Sequence, residues 1–99
     1  MAIALIQDYP GITLDQYDEI NKAMEGSRGT LHHPGRLFHW VAAHEGGIRV
    51  VDVWKSHAEH AAFIRDVVWP LAEQLGLTAV PEVTSYEVHN VLGPGANTT

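Results

Sequence analysis

The spacing of apolar positions along this chain changes several times, and each change marks an element. Ala2 to Tyr9 is a short, largely apolar run ended by Pro10-Gly11, which predicts a buried strand and a turn. Leu14, Tyr17, Ile20 and Met24 then recur at helical spacing. Thr13 and Gln16 fit a capping box at the start of that helix, Thr13 accepting from first-turn amides and Gln16 reaching back. Gly26-Ser27-Arg28-Gly29 is expected to stop it, near Glu25. Residues 26–36, rich in glycine and carrying His32-His33-Pro34, form the longest expected loop.

Arg36 to His44 alternates as a strand does, Gly46-Gly47 offers a two-residue hairpin turn, and Ile48 to Trp54 is rich in β-branched residues. Ser56 with Glu59 is a second capping box, opening a helix that runs to about Leu75 with Gly76 just beyond its end. Pro70 inside that helix predicts a kink or break near Trp69. A last strand, Val83 to Val91, follows Pro81. The tail 93–99 has nothing to pack and is expected to be disordered, leaving residues 1–92 as one domain. The order is βαββαβ without internal repeat. It suits a ferredoxin-like α+β fold, a four-stranded antiparallel sheet with two helices on one face.

A turn at Gly46-Gly47 pairs His39 with Trp54 and Val41 with Asp52. His39, Val41, Ala43, Asp52 and Trp54 then share one face, while Phe38, Trp40, Ala42, Val51 and Val53 share the other. The second set is apolar throughout. If the helices cover it, His39, Asp52 and Trp54 look at solvent. If instead it meets a second copy of itself, the face with His39 and Trp54 lies under the helices and lines a cavity. The second helix would then present His60, Phe63, Ile64, Val67, Leu71 and Leu75 to it. The last strand adds either Ser85, Glu87 and His89 or Thr84, Tyr86, Val88 and Asn90; Tyr86 and Val88 are the expected core-facing choice, which would put His89 beside His39. A one-residue change of register would undo the whole assignment.

Composition narrows the classes. Ninety-nine residues allow a single domain. The net charge of −6 leaves no basic stripe for a nucleic-acid backbone. Without cysteine there is no disulfide or thiol chemistry. No apolar run approaches the roughly 20 residues that cross a bilayer, and the N-terminus lacks the pattern of a signal peptide. A cytoplasmic protein with no membrane partner is expected. Seven histidines outnumber the six lysines and arginines, which draws attention to proton transfer and metal binding.

The element order, Pro34-Gly35-Arg36-Leu37-Phe38-His39, Val51-Asp52-Val53-Trp54-Lys55-Ser56 and Val88-His89-Asn90 together resemble the dimeric α+β-barrel superfamily. That group includes antibiotic-biosynthesis-type monooxygenases and stress-responsive barrel proteins. The likeness covers residues 2–92 and is greatest to small actinobacterial-type members, mostly without an assigned reaction. It implies a homodimer joined through the Phe38, Trp40, Val51 and Val53 face. It also implies a pocket between helices and sheet in each subunit, with Trp54 at the position of a pocket tryptophan. The superfamily spans haem-degrading monooxygenases, lactone isomerases and polyketide cyclases, so the fold outruns the function.

Within this frame His39 and Asp52 are diagonal neighbours that make either a general base with its orienting carboxylate or a buried polar pair holding the hairpin. His89 extends the group or bonds a backbone carbonyl. Trp54, His60, Phe63 and Val67 are candidate walls for a planar apolar ligand, Trp54 equally a core filler. No HxxxH or HxH spacing anchors a metal. The ligand histidine of haem-degrading relatives lies further along the second helix than His57 or His60, nearer Ile64. No metal and no cofactor are therefore expected. The leading expectation is an enzyme acting on a small apolar, aromatic or polyketide-like molecule. Cofactor-independent oxygenation or isomerisation/cyclisation would proceed with a histidine base. The alternative is a non-catalytic ligand-binding or stress-responsive dimer of the same fold.

Overall fold

The computed structural model describes residues 1–28 and 33–92. The expected disorder of 93–99, and His32, lie outside them. Strand β1 (Ile3–Pro10) leads into helix α1 (Leu14–Arg28), then the hairpin β2 (Arg36–His44) and β3 (Gly47–Trp54). Helix α2 (His57–Phe63), a π-helical turn (Ile64–Val68) and helix α3 (Trp69–Gln74) follow as one continuous rod, and β4 (Glu82–Glu87) closes the order. The strands form one antiparallel sheet in the order β2-β3-β1-β4, the ferredoxin-like α+β arrangement. None of the helices is long and apolar enough to cross a membrane, among the described residues.

Helix α1 starts where its capping box requires. Gln16 N donates to Thr13 Oγ1 at 3.1 Å and Thr13 N to Gln16 Oε1 at 2.9 Å. It runs to Arg28, three residues past the expected stop at Glu25, because a glycine inside a helix costs only about 1 kcal/mol and does not oblige it to end. Ser56 caps α2, accepting from Glu59 N at 3.2 Å. The break expected from Pro70 takes the form of the π-helical turn just before it. Pro70 has no N–H for the Asp66 carbonyl, and the wider turn takes up the mismatch. Gly76 (φ 72°) ends the rod in a Schellman motif, with Leu77 N donating to Ala72 O and Gly76 N to Glu73 O.

The hairpin departs from expectation in register. Its turn is Glu45-Gly46, both at positive φ (42° and 77°), so His44 pairs with Gly47 and His39 lies directly opposite Asp52. The expected pairs His39–Trp54 and Val41–Asp52 are thus displaced by two residues. Two is even, so every side chain keeps its face. The strand β4 is shorter than expected, ending at Glu87, and only Val88 N continues the ladder to Ala2 O at 2.9 Å.

The helices cover the face that carries Asp52 and Trp54. Ile3, Leu5, Met24, Trp54, Phe63 and Val67 form the buried core, with Ile20, Ile64, Val68 and Leu71 packed on it. Leu75, expected inside, is 40% exposed at the end of the rod. On the opposite sheet face Phe38 and Trp40 remain 41% and 43% exposed beside Ala4, Ile6, Val51 and Val53.

Candidate active site

Two adjacent strands put the imidazole of His39 and the carboxylate of Asp52 on one cross-strand pair, both pointing under the helices. His39 Nδ1 and Asp52 Oδ1 are in close hydrogen-bond contact. The other carboxylate oxygen accepts from Gln7 Nε2 and from Trp54 Nε1, each at 3.3 Å. Gln7 is in phase with Ile3 and Leu5 on β1, so it enters the core beside Asp52. Burial pushes the Asp52 carboxyl toward the neutral form, but the hydrogen bond and electrostatic pull of His39, the Trp54 indole and the field of Arg36 outweigh it and hold its pKa below the usual carboxylate value.

That ionised carboxylate is an acceptor only, so Nδ1 of His39 carries the proton it donates. In the neutral imidazole Nε2 is then the acceptor, and it receives the phenol of Tyr17 from the first turns of α1. The two rings lie nearly parallel, centroids 6.0 Å apart and planes 18° off. Tyr17, His39 and Asp52 thus form one chain of hydrogen bonds from helix to sheet, ending on the buried Gln7 and Trp54. The His39 side chain keeps 24% of its surface exposed and Asp52 only 7%. Such a chain fixes a tautomer and can pass a proton along its length.

A bulge at Leu37 adds a second feature. Arg36 pairs with Trp54 and Phe38 with Val53, which turns Arg36 onto the helix-covered face. Its guanidinium lies 6.0 Å from the Trp54 ring centre and 5.5 Å from that of Phe63. His33 packs on the same two rings at 5.1 and 5.3 Å. His60 meets Trp54 edge-on at 5.5 Å, and its Nε2 is buried with no hydrogen-bond partner among the described residues. Burial lowers the His60 pKa, against the attraction of Asp52 and with the repulsion of His57.

Of the residues singled out in sequence, His39 and Asp52 come together, with Trp54 bonded to Asp52. Trp54 is fully buried and Phe63 and Val67 nearly so, which makes them core in this conformation and not free walls. His89 does not join His39. It is exposed, beyond the end of β4, and β1 and β3 separate that edge from β2. The missed residues are Tyr17 and Gln7. Each stands in an apolar phase, Tyr17 in the stripe of α1 and Gln7 in that of β1, and a polar atom in such a phase is the one signal that could have marked them. Among the described residues, no three His, Asp or Glu side chains gather in a way that would hold a metal ion. A shallow, open depression lies away from this array, between the start of α1 and the hairpin tip, lined by Ile12, Leu14, Ala43 and Gly46 among others.

No protein-family model matches the sequence, and no curated protein matches it. Solved structures do match the fold. An antibiotic-biosynthesis-monooxygenase-type protein from Chloroflexus aurantiacus superimposes with a TM-score of 0.63 at 21% identity, over 94% of this chain and 98% of its own. SnoaB, a cofactor-independent oxygenase from Streptomyces nogalater, gives 0.58 at 15% identity over 92% and 95%. A MhuD variant with two manganese protoporphyrin IX molecules per active site gives 0.55 at 16% identity over 94% and 99%. At such identities the likeness is one of fold. The chain has the fold of the antibiotic-biosynthesis-monooxygenase-like ferredoxin-type proteins, the group its sequence resembles.

Proposed function

We propose that this protein is a homodimeric α+β-barrel enzyme that removes a proton from a small apolar, aromatic or polyketide-like molecule, with His39 as general base and Asp52 as the group that orients it. The observation that carries this reading is the His39–Asp52 contact, a directly opposed pair roofed by helices and tied at its far end to Gln7 and Trp54. A resonance-stabilised carbanion formed there either reprotonates elsewhere, which is an isomerisation or cyclisation, or reacts with dissolved oxygen. That SnoaB is a cofactor-independent oxygenase of the same fold supports the second outcome. That MhuD takes up porphyrins supports a small-molecule site in this architecture. In this reading Trp54, His60, Phe63 and Val67 are the largely apolar surroundings of the site.

The test is turnover of a panel of hydroxylated aromatic ketones, followed by oxygen uptake and product mass. His39→Ala is expected to lose at least about 100-fold in kcat, the range of a removed general base, with its oligomeric state unchanged. Full turnover in that variant would remove the mechanism. The closed packing around Trp54 favours a second reading, a dimer that binds a ligand without changing it. It predicts that native mass spectrometry of gently purified protein finds a small molecule that long incubation leaves intact.

A further inference from the structure

Both nitrogens of the His39 imidazole are taken. Nδ1 is bonded to Asp52 and Nε2 to the phenol of Tyr17. A neutral imidazole has one donor and one acceptor, so a base held in this way has no free nitrogen to offer a substrate. The free end of the chain is the phenol oxygen, which keeps its lone pairs after donating to Nε2. Tyr17 is well placed for that position. It sits one turn into α1, its amide bonded to Thr13 O at 3.0 Å in a helix start fixed by the Thr13–Gln16 box, and it is half-buried.

We propose that Tyr17 is the catalytic residue that meets the substrate, a base-activated phenol that passes the proton to His39 Nε2. This rests on the reading of His39 as the base and deepens it. As the substrate's C–H or O–H bond breaks, its electron pair stays on the substrate and its proton goes to the Tyr17 oxygen. The phenolic proton moves to Nε2, leaving an enolate or phenolate beside an imidazolium steadied by Asp52. Running the same relay backwards onto a different atom of the substrate completes an isomerisation with no co-reactant. The substrate class is thus a small molecule with an enolisable C–H or a phenol, held against the Tyr17 side of α1.

The relay can be read without knowing the substrate. Phenylmethylsulfonyl fluoride reacts with an activated phenol: an O–S bond forms, the S–F bond breaks, fluoride leaves and the phenolic proton goes to His39. Site-resolved rates come from peptide mass mapping of the full chain near pH 7.5, with added N-acetyltyrosinamide as reference, because Tyr86 stands on the sheet face that the proposed dimer covers. Tyr17 is expected to react at least about tenfold faster than this reference, a modest share of what a positioned base supplies. His39→Gln is expected to bring it down to the reference rate. A Tyr17 no faster than the reference, or as fast in His39→Gln as in the wild type, overturns the relay. Carbethoxylation of Tyr17→Phe by diethyl pyrocarbonate tests the base separately, with the exposed His57 as reference. A slow Tyr17 together with a His39 faster than His57 overturns the relay and leaves His39 to meet the substrate itself. A His39 no faster than His57 overturns both.

Discussion

Asp52 stays charged inside the sheet because three donors surround it: the His39 imidazole, the Gln7 amide and the Trp54 indole. Its pKa is lower folded than unfolded, so it contributes stability that is complete above the unfolded value of about 3.9 and is lost as pH falls through the folded one. Asp52→Asn keeps one accepting oxygen but turns an NH2 donor toward the donors on the other side, with which it cannot pair. We expect a loss of about 2–3 kcal/mol at neutral pH and a flatter acid limb below about pH 4, read from urea unfolding at several pH values. His60 carries the opposite problem, a buried Nε2 without a partner among the described residues and a pKa lowered by burial. Its neutral form is the one that folds. The stability this brings is complete above the ordinary value of about 6.5 and falls away as the pH drops through the lowered one. His60→Leu is expected to raise Tm by about 4–8 °C at pH 7, equivalent to about 1 kcal/mol, and to remove the slope just below pH 6.5. At this scale His39 and Asp52 were legible because strand alternation assigns faces from sequence alone. Tyr17 and Gln7 were not, because a polar atom on an apolar stripe declares its partner only once the other elements are in place.

The hairpin shows how an element can be misread and still carry its chemistry. Gly46 and Gly47 look interchangeable in sequence but serve different purposes. Gly46 takes φ 77° in the turn, whereas Gly47 is already in β3, where a Cβ would run into the Tyr9 carbonyl oxygen of β1. The turn therefore moves one residue back, onto Glu45 at φ 42°, and every pairing moves by two. A displacement of one would have turned His39 and Asp52 to the other face. Such contacts between strands distant in sequence are invisible in the turn itself, which is why the register was not legible while the strands were. The energetics follow. Gly46→Ala is expected to cost about 1–2 kcal/mol, the price of a left-handed residue with a Cβ, and Glu45→Asn to gain about 0.5 kcal/mol, since asparagine tolerates that region. Paired thermal melts of the two variants check both signs at once; a neutral Gly46→Ala would contradict the turn assignment.

For the whole molecule, the decisive asymmetry is between the two faces of one sheet. One face has helices over Trp54 and Asp52. The other leaves Phe38 and Trp40 more than 40% exposed and Tyr86 58% exposed, in a patch continued by Ala4, Ile6, Val51 and Val53. A contiguous apolar face of this kind on a small acidic chain is a liability unless something covers it. Its polar end is ordered, with Arg49 gripping Asp8 through two hydrogen bonds of 2.7 and 2.9 Å, as suits the rim of an interface whose centre is dry. A second copy of the same face is the cover we propose, sheet on sheet about 10 Å apart, as in other packed sheets. Trp40→Asp puts a charge at the centre of that contact. It is expected to convert a dimer to monomer at micromolar concentration in sedimentation velocity. Trp69→Asp, on the exposed side of α3, serves as control and is expected to leave the dimer intact. The His39–Asp52 pair lies on the far side of the sheet from Trp40, so the monomer should keep it. If Trp40→Asp remains dimeric, the open face is covered by something else, and the barrel in our proposal goes with it.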